Sequence, residues 1–206
     1  MIARLSCVLM LLCLRPAAAA SRTFAIDSNA SNVRAHVGKT GIGSFAGHEH
    51  EVVARSMQGE VVADFEDLSR SSVDVTVSAR ALTVSEEGEP AGDAPKVQHA
   101  MRGPNVLYAA RYPAIRFRSR RITGKQLSPG SYELTIAGDL SLHGAVKGIE
   151  VPLRVELNGD TLTGTGKMVV KQTDFGIKPT MAAGGLVQVE DEVTVTFRIT
   201  ARAGGP

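Results

Sequence analysis

The chain has 206 residues, 43% of them hydrophobic and 21% charged, an ordinary globular balance that excludes extended disorder and fits one domain more easily than two. Aromatics make up 4% and tryptophan is absent, which argues against a base-stacking platform for nucleic acid. The formal charge of +2 vanishes once Arg4 and Arg15 are set aside, leaving 21 basic against 21 acidic residues, so net charge gives no support to capture of nucleic acid or of an anionic membrane.

Residues 1–20 read as a secretory signal peptide. Arg4 supplies the positive start, Leu5 to Leu14 the short apolar run, and Ala18-Ala19-Ala20 a small-residue cleavage site. The run is too short to cross a bilayer, which takes roughly twenty apolar residues. Cleavage near Ala20 is expected to leave residues 21–206 as a single domain, periplasmic or secreted, with no stable membrane insertion. Cys7 and Cys13 both fall inside the leader. The mature chain then has no disulfide, no thiol nucleophile and no cysteine metal site.

Beyond the leader, alternation of apolar and polar residues dominates, which is the signature of a strand with one dry face and one wet face. It appears at Val33, Ala35 and Val37. A glycine-rich stretch from Gly38 to Gly47 follows, then His48-Glu49-His50. Val61, Ala63 and Phe65 resume the pattern, and Ser72 to Ala79 presents Val73, Val75, Val77 and Ala79 on one face. Glu86 to Asp93 breaks it with glycine, proline and glutamate. Val97, Ala100 and Met101 then fall at helical spacing, and Gly103-Pro104 ends that helix after about two turns. Residues 86–108 are thus expected to be the main irregular insertion, with Val106, Leu107 and Tyr108 covering an open end.

Ile115 and Phe117 return to strand, alternating with Arg116 and Arg118; with Arg120 and Arg121 these arginines form a basic stripe on the wet face. Tyr132, Leu134, Ile136, Leu140 and Leu142 continue, then His143-Gly144 turns the chain. Ile149, Val151, Leu153, Val155 and Leu157 lead into Asn158-Gly159-Asp160, a strong hairpin signal. Leu162, Gly164, Gly166 and Met168 come next, and Val193, Val195, Phe197, Ile199 and Ala201 close the series. About eight short strands on tight turns predict an all-β, antiparallel fold, as a sandwich or a closed barrel.

Few groups invite chemistry. His48 and His50 share one strand face and, with His99, make a three-ligand metal site the alternative reading; the blander one is a polar loop after Gly47. There is no nucleophile elbow, phosphate loop or dinucleotide fingerprint. Glu86, Glu87 and Glu89 read as a solvated loop, and His143 as an exposed turn residue. No enzymatic activity is expected. The apolar faces remain, and Val75, Val77, Phe117, Ile136, Leu140, Val195 and Phe197 all have the phase of inward residues. An eight-stranded barrel is just wide enough to hold one small ligand, and composition alone leaves a filled core and an apolar pocket equally open.

Asp139-Leu140-Ser141-Leu142-His143-Gly144-Ala145-Val146-Lys147-Gly148 resembles the strand pair of the YceI-like family of bacterial periplasmic proteins. Three further pieces agree in order: Thr23 to Asp27 with Ser31-Asn32-Val33, Tyr112 to Ser119 with the pattern Y-P-x-I-x-F-x-S, and Asp174-Phe175-Gly176-Ile177. Together they span nearly all of the mature chain. The stretches His99 to Leu107 and Gly41 to Glu51 depart from the family pattern. The resemblance implies a lipocalin-like antiparallel β-barrel with a short helix and loop insertion and a long apolar cavity. It also implies an apolar lipid partner, a polyisoprenoid or a quinone tail, held by the seven inward residues. No other cofactor and no nucleic acid partner are expected, and the sequence leaves the oligomeric state open.

Overall fold

Alternating segments of this kind cannot bury their dry faces singly, and closing on one another is the solution that leaves no sheet edge. The computed structural model describes residues 21–40, 49–87, 90–182 and 187–204; the proposed leader and His48 lie outside them. Among the described residues the order is β1 (Arg22–Ile26), β2 (Asn32–Thr40), β3 (His50–Ala54), β4 (Met57–Ala63), β5 (Ser72–Ser78) and β6 (Leu82–Val84). Helix α1 (Ala94–Arg102) follows, then β7 (Ala114–Ser128), β8 (Ser131–Leu142), β9 (Ala145–Asn158), β10 (Thr161–Lys171), β11 (Met181–Ala182) and β12 (Val187–Ala203).

Every pairing is antiparallel. A ring runs β1–β4–β5–β7–β8–β9–β10–β12 and closes where Phe24 to Ile26 of β1 meet Ala203 to Ala201 of β12. The fold is thus a closed eight-stranded antiparallel barrel, and the extra segments have a simple origin. Three of the ring strands are bent. β1 continues into β2 through the turn Ser28–Ala30, whose amides at Asn29 and Ala30 donate to the Asp27 carboxylate at 3.1 and 3.2 Å. β3 continues into β4 across residues 55–56, and β5 into β6 across Ala79–Ala81. The upper pieces β2, β3 and β6 form their own run beside the upper half of β12.

The two ends differ. At the lower end lies the Asn158-Gly159-Asp160 turn, where Gly159 takes the positive φ of 58° that such a hairpin requires. Here the ring is continuous, and Phe24, Ala63, Tyr132, Val155, Leu162 and Ala201 form a buried cluster. At the upper end, marked by His143-Gly144, the ring parts in two places. β9 and β10 stay paired only below Leu153 and Gly166. Into that gap goes the turn Thr173–Phe175, with Phe175 and Ile177 2% and 3% exposed against Leu140, Ile149 and Val170. The other opening lies beyond β6, where α1 takes the place of a strand. The Gln98 side chain accepts from the Val84 amide at 2.8 Å and donates to the Leu82 carbonyl at 3.0 Å. An edge strand thereby obtains the hydrogen bonds a neighbouring strand would have given.

Helix α1 begins at Ala94 with Pro95 in its first turn and stops at Gly103, as glycine followed by proline dictates. Met101 and Val97 pack onto Val52, Val84 and Leu82. Ala100, expected on the same face, is exposed instead, because the contact stripe is narrower than the spacing implied. Phe65, expected on a strand, lies beyond the end of β4.

A candidate ligand-binding cavity

Inward residues of the barrel do not meet in the middle. They surround a cavity of about 350 Å³, within the size range that holds a small ligand. All seven residues singled out for their phase stand on its wall: Val75 and Val77 from β5, Phe117 from β7, Ile136 and Leu140 from β8, Val195 and Phe197 from β12. Val33, Ala35 and Val37 from β2 complete the side opposite β8.

Two lumen-facing glycines explain why the centre stays open. Gly138 shares the phase of Ile136 and Leu140, and the Phe117 ring lies against it so closely that a Cβ there would stand 2.6 Å from the ring. Gly166 stands in the same relation to the Phe197 ring, again at 2.6 Å. Each ring therefore lies back against bare backbone and not across the lumen. Glycine in a strand interior weakens the strand and marks a close approach; here the approaching group is an aromatic ring.

The lower end is stopped by aromatics. The Phe65 and Tyr132 rings lie 5.4 Å apart, and Phe24 sits edge-on to Phe65 at 6.5 Å. Phe65, Leu68 and Tyr132 border the cavity, while Phe24 is fully buried below them. The Tyr132 hydroxyl accepts from Gln126 at 3.3 Å. Ser71 also borders this end; its hydroxyl accepts from the Asp64 amide at 2.9 Å.

The upper end carries Met101, Val106 and Leu107 from α1 and the segment after it, with Lys171 and Gln172 as polar neighbours. The turn that wedges β9 from β10 is pinned there by Asp191, which accepts from the Thr173 amide at 2.8 Å and its hydroxyl at 2.7 Å. Those two bonds hold the Asp191 carboxyl below the usual carboxylate range. His143 is not the exposed turn residue expected. It is half-buried, its Nδ1 3.1 Å from the Phe175 carbonyl and its ring edge-on to Tyr112 at 5.1 Å. The histidine thus ties the turn at the top of β8 to the wedge.

The basic stripe lies outside, as its phase requires. Arg116 grips Asp74 with two nitrogens, Nε at 2.8 Å, and Arg118 reaches the same carboxylate at 3.2 Å. Arg120 pairs with Asp139. Asp74 is accordingly held below the usual carboxylate range, chiefly by the Arg116 hydrogen bonds, with burial opposing. Of the three histidines of the alternative metal site, His48 lies outside the described residues. His50 is half-buried at the top of β3 and His99 is exposed on α1, and among the described residues no group of three or more His, Cys, Asp or Glu side chains is placed to hold an ion.

Sequence reasoning missed parts of the wall, among them Val52, Ala54, Leu68 and Leu82. Ile122 lines it because a bulge between Ser119 and Arg121 shifts the phase of β7; strict alternation places it on the wrong side. Phe65 was expected on the apolar face with Val61 and Ala63, and it does border the cavity, but from beyond the end of β4.

The YceI-like domain model matches residues 24–201. The chain belongs to the YceI-like family. Among solved structures, this YceI-like barrel is similar to Burkholderia cenocepacia BcnA, at 21% identity and TM-score 0.65, over 85% of this chain and 99% of that one. A polyisoprenoid binding domain from Saccharophagus degradans aligns at 13% identity and TM-score 0.62, over 88% and 98%. The Campylobacter jejuni YceI protein aligns at 14% identity and TM-score 0.55, over 75% and 85%. At these identities the likeness is one of fold. Comparison with curated proteins gives no match.

Proposed function

We propose that this YceI-like protein is a non-catalytic carrier that holds an isoprenoid-type lipid, a polyisoprenoid or a quinone tail, inside its barrel. The observation that carries the reading is the apolar lumen kept open by Gly138 and Gly166, against which Phe117 and Phe197 lie back. An apolar tail needs shape and dryness, not directed hydrogen bonds. Its burial is worth about 25 cal/mol per Å² before the costs of association. The similarity in fold to a polyisoprenoid binding domain agrees with this reading. Among the described residues, the carboxylates whose pKa is shifted are Asp27, Asp67, Asp74 and Asp191, none of which lines the cavity, and each is engaged in hydrogen bonds. That arrangement favours binding over catalysis.

The leader-like residues 1–20 support export, with the mature chain starting near Ser21 and working in the periplasm or outside the cell. N-terminal sequencing of the protein from its natural host checks this; retention of residues 5–14 contradicts it.

The carrier reading is tested by organic extraction and mass spectrometry of protein purified from an isoprenoid-making host. Wild-type protein should yield a stoichiometric isoprenoid lipid. Val77→Trp or Ile136→Trp should lower the yield by blocking the lumen, and Arg118→Ala on the outer face should leave it unchanged. Full lipid in the tryptophan variants with none in Arg118→Ala means that the lipid sits outside the barrel.

A further inference from the structure

We infer that the outer face of β10 and β12, with the strand on either side, is a binding surface for an acidic polysaccharide. Its anionic groups are seated in two rows, each a cation, a threonine and a second cation. The surface lies outside the barrel and does not depend on what the lumen holds.

Beyond the leader the chain is neutral, but its charges are segregated. Neither Thr161–Lys171 nor residues 193–203 contains an acid. Register then gathers cations onto this ground. Arg154 of β9 lies opposite Thr165 of β10, which lies opposite Arg198 of β12. One layer higher, Lys167 of β10 lies opposite Thr196 of β12, which lies opposite Arg34 of β2. All six are exposed. Their neighbours Leu153, Met168, Val195 and Phe197 line the cavity, so the six point outward. Adjacent strands are about 4.8 Å apart, which sets the two cations of each row about 10 Å apart with a hydroxyl midway. The rows are offset by one strand and two residues, so Thr165 and Thr196 stand about 8 Å apart.

These cations are left uncompensated. On the other side of the barrel Arg116, Arg118 and Arg120 each meet Asp74 or Asp139. Here, among the described residues, Arg154, Lys167 and Arg198 have no carboxylate partner, and Arg34 alone has one, Glu51 at 3.5 Å. Glu133, opposite Arg154 on β8, pairs instead with Lys125 at 3.3 Å. Like charges on neighbouring strands repel, and a bound anion relieves that repulsion.

The chemistry of the rows selects the partner. Neither contains an aromatic side chain on which bases could stack, and neither offers an apolar side chain to a bilayer. Each hydroxyl can exchange hydrogen bonds with sugar hydroxyls while the flanking cations hold a carboxylate or sulfate. Two seats about 8 Å apart reward a linear chain that fills both, because the second contact is then intramolecular.

The test is titration of the full mature protein with alginate oligomers at rising salt. Wild-type protein should bind, and its affinity should fall with salt at a log–log slope of roughly three, as release of counterions by four cations requires. Arg154→Gln with Arg198→Gln should weaken binding about tenfold or more. Arg121→Gln with Lys147→Gln removes equal charge from exposed positions elsewhere and should leave binding unchanged. Thr165→Val with Thr196→Val should weaken binding several-fold at unchanged charge. Melting curves confirm folding in each. No binding at low salt overturns the proposal, as does an equal loss in the Arg121/Lys147 control. Full affinity in the valine variant overturns the two-seat arrangement. Competition by monomeric glucuronate as effective as by the oligomer overturns the assignment to a polymer. Tighter binding to oligo-dT, or to vesicles of phosphatidylglycerol and phosphatidylethanolamine, gives the face another partner and overturns the assignment to a polysaccharide. Lipid extracted from the lumen should be the same in every variant, so the carrier reading stands or falls separately.

Discussion

At the scale of single residues, the distinction between a filled and an open barrel rests on two absent methyl groups. At Gly138 an added Cβ meets the Phe117 ring and the Arg118 carbonyl; at Gly166 it meets the Phe197 ring and the Pro152 carbonyl. Gly138→Ala should therefore cost about 1–3 kcal/mol, as overpacking usually does, and turn the Phe117 ring into the lumen. Denaturant unfolding measures the first effect and the lipid content of the purified protein the second. Unchanged stability and lipid content together would mean that the ring has room to retreat. Asp74 supports a prediction of another kind. Its carboxyl is held below its ordinary value by Arg116 and Arg118, so the pair stabilises the fold above the unfolded-state pKa and loses that effect as pH falls through the folded one. Asp74→Asn should melt below wild type at neutral pH, and the gap should narrow on acidification below the ordinary aspartate value of about 3.9. Thermal melts at the two pH values check the sign. The phase of Val75, Val77, Phe117, Ile136, Leu140, Val195 and Phe197 was legible because alternation has only two answers per strand. The role of the two glycines was not, because a glycine's importance depends on which ring lies across from it in another strand.

At the scale of elements, the upper half of the barrel is held by wedges where the lower half is held by ladders. Phe175 is the larger wedge residue, buried between β9, β10 and the end of β8. Phe175→Ala should cost about 3–5 kcal/mol. It should also raise amide exchange selectively in residues 145–152 and 167–171, the stretches of β9 and β10 that lack each other as partners. Uniform exchange across the lower ladders as well would mean that the wedge and the ring unfold as one unit. The hairpins were readable from Asn158-Gly159 and His143-Gly144, whose chemistry is local. The parting of β9 from β10 was not, since it depends on a turn that arrives from a later part of the chain. The extra strands have a comparable origin. Bends after Ile26, Ala54 and Ser78 separate β1 from β2, β3 from β4 and β5 from β6, and alternation alone marked one piece of each pair.

At the scale of the whole molecule, a barrel with an open interior forgoes part of its core, and a bound lipid restores what is missing. A ligand that binds only the folded state stabilises it by about 2.7 kcal/mol at a hundredfold excess over Kd, which for a domain of this size raises Tm by roughly 5–10 °C. Delipidated protein should melt lower by this margin and recover it when a prenyl alcohol is added. Equal melting temperatures with and without lipid would indicate a core already complete. The fold class was readable in advance because eight alternating segments admit few closed arrangements. The occupancy of the centre was not, because volume is a property of the assembled ring.

The closure itself constrains how the molecule is made. β12 pairs with β1 and β10 in the ring, and with β2 and β11 at its upper half, so the last strand of the chain is the one on which the first depends. A nascent chain can form the β7–β8 and β8–β9 hairpins as soon as they emerge, because those contacts are local. Its first two strands can pair early with β4 and β3, but their other edges must wait until residues 187–203 have been synthesised. Until then the walls of the future lumen face solvent as an unclosed sheet, and contacts spanning nearly the whole sequence are the slow ones to form. Translation order thus sets a vulnerable interval, from the emergence of β1 to the docking of β12, during which a chaperone has the most exposed surface to shield.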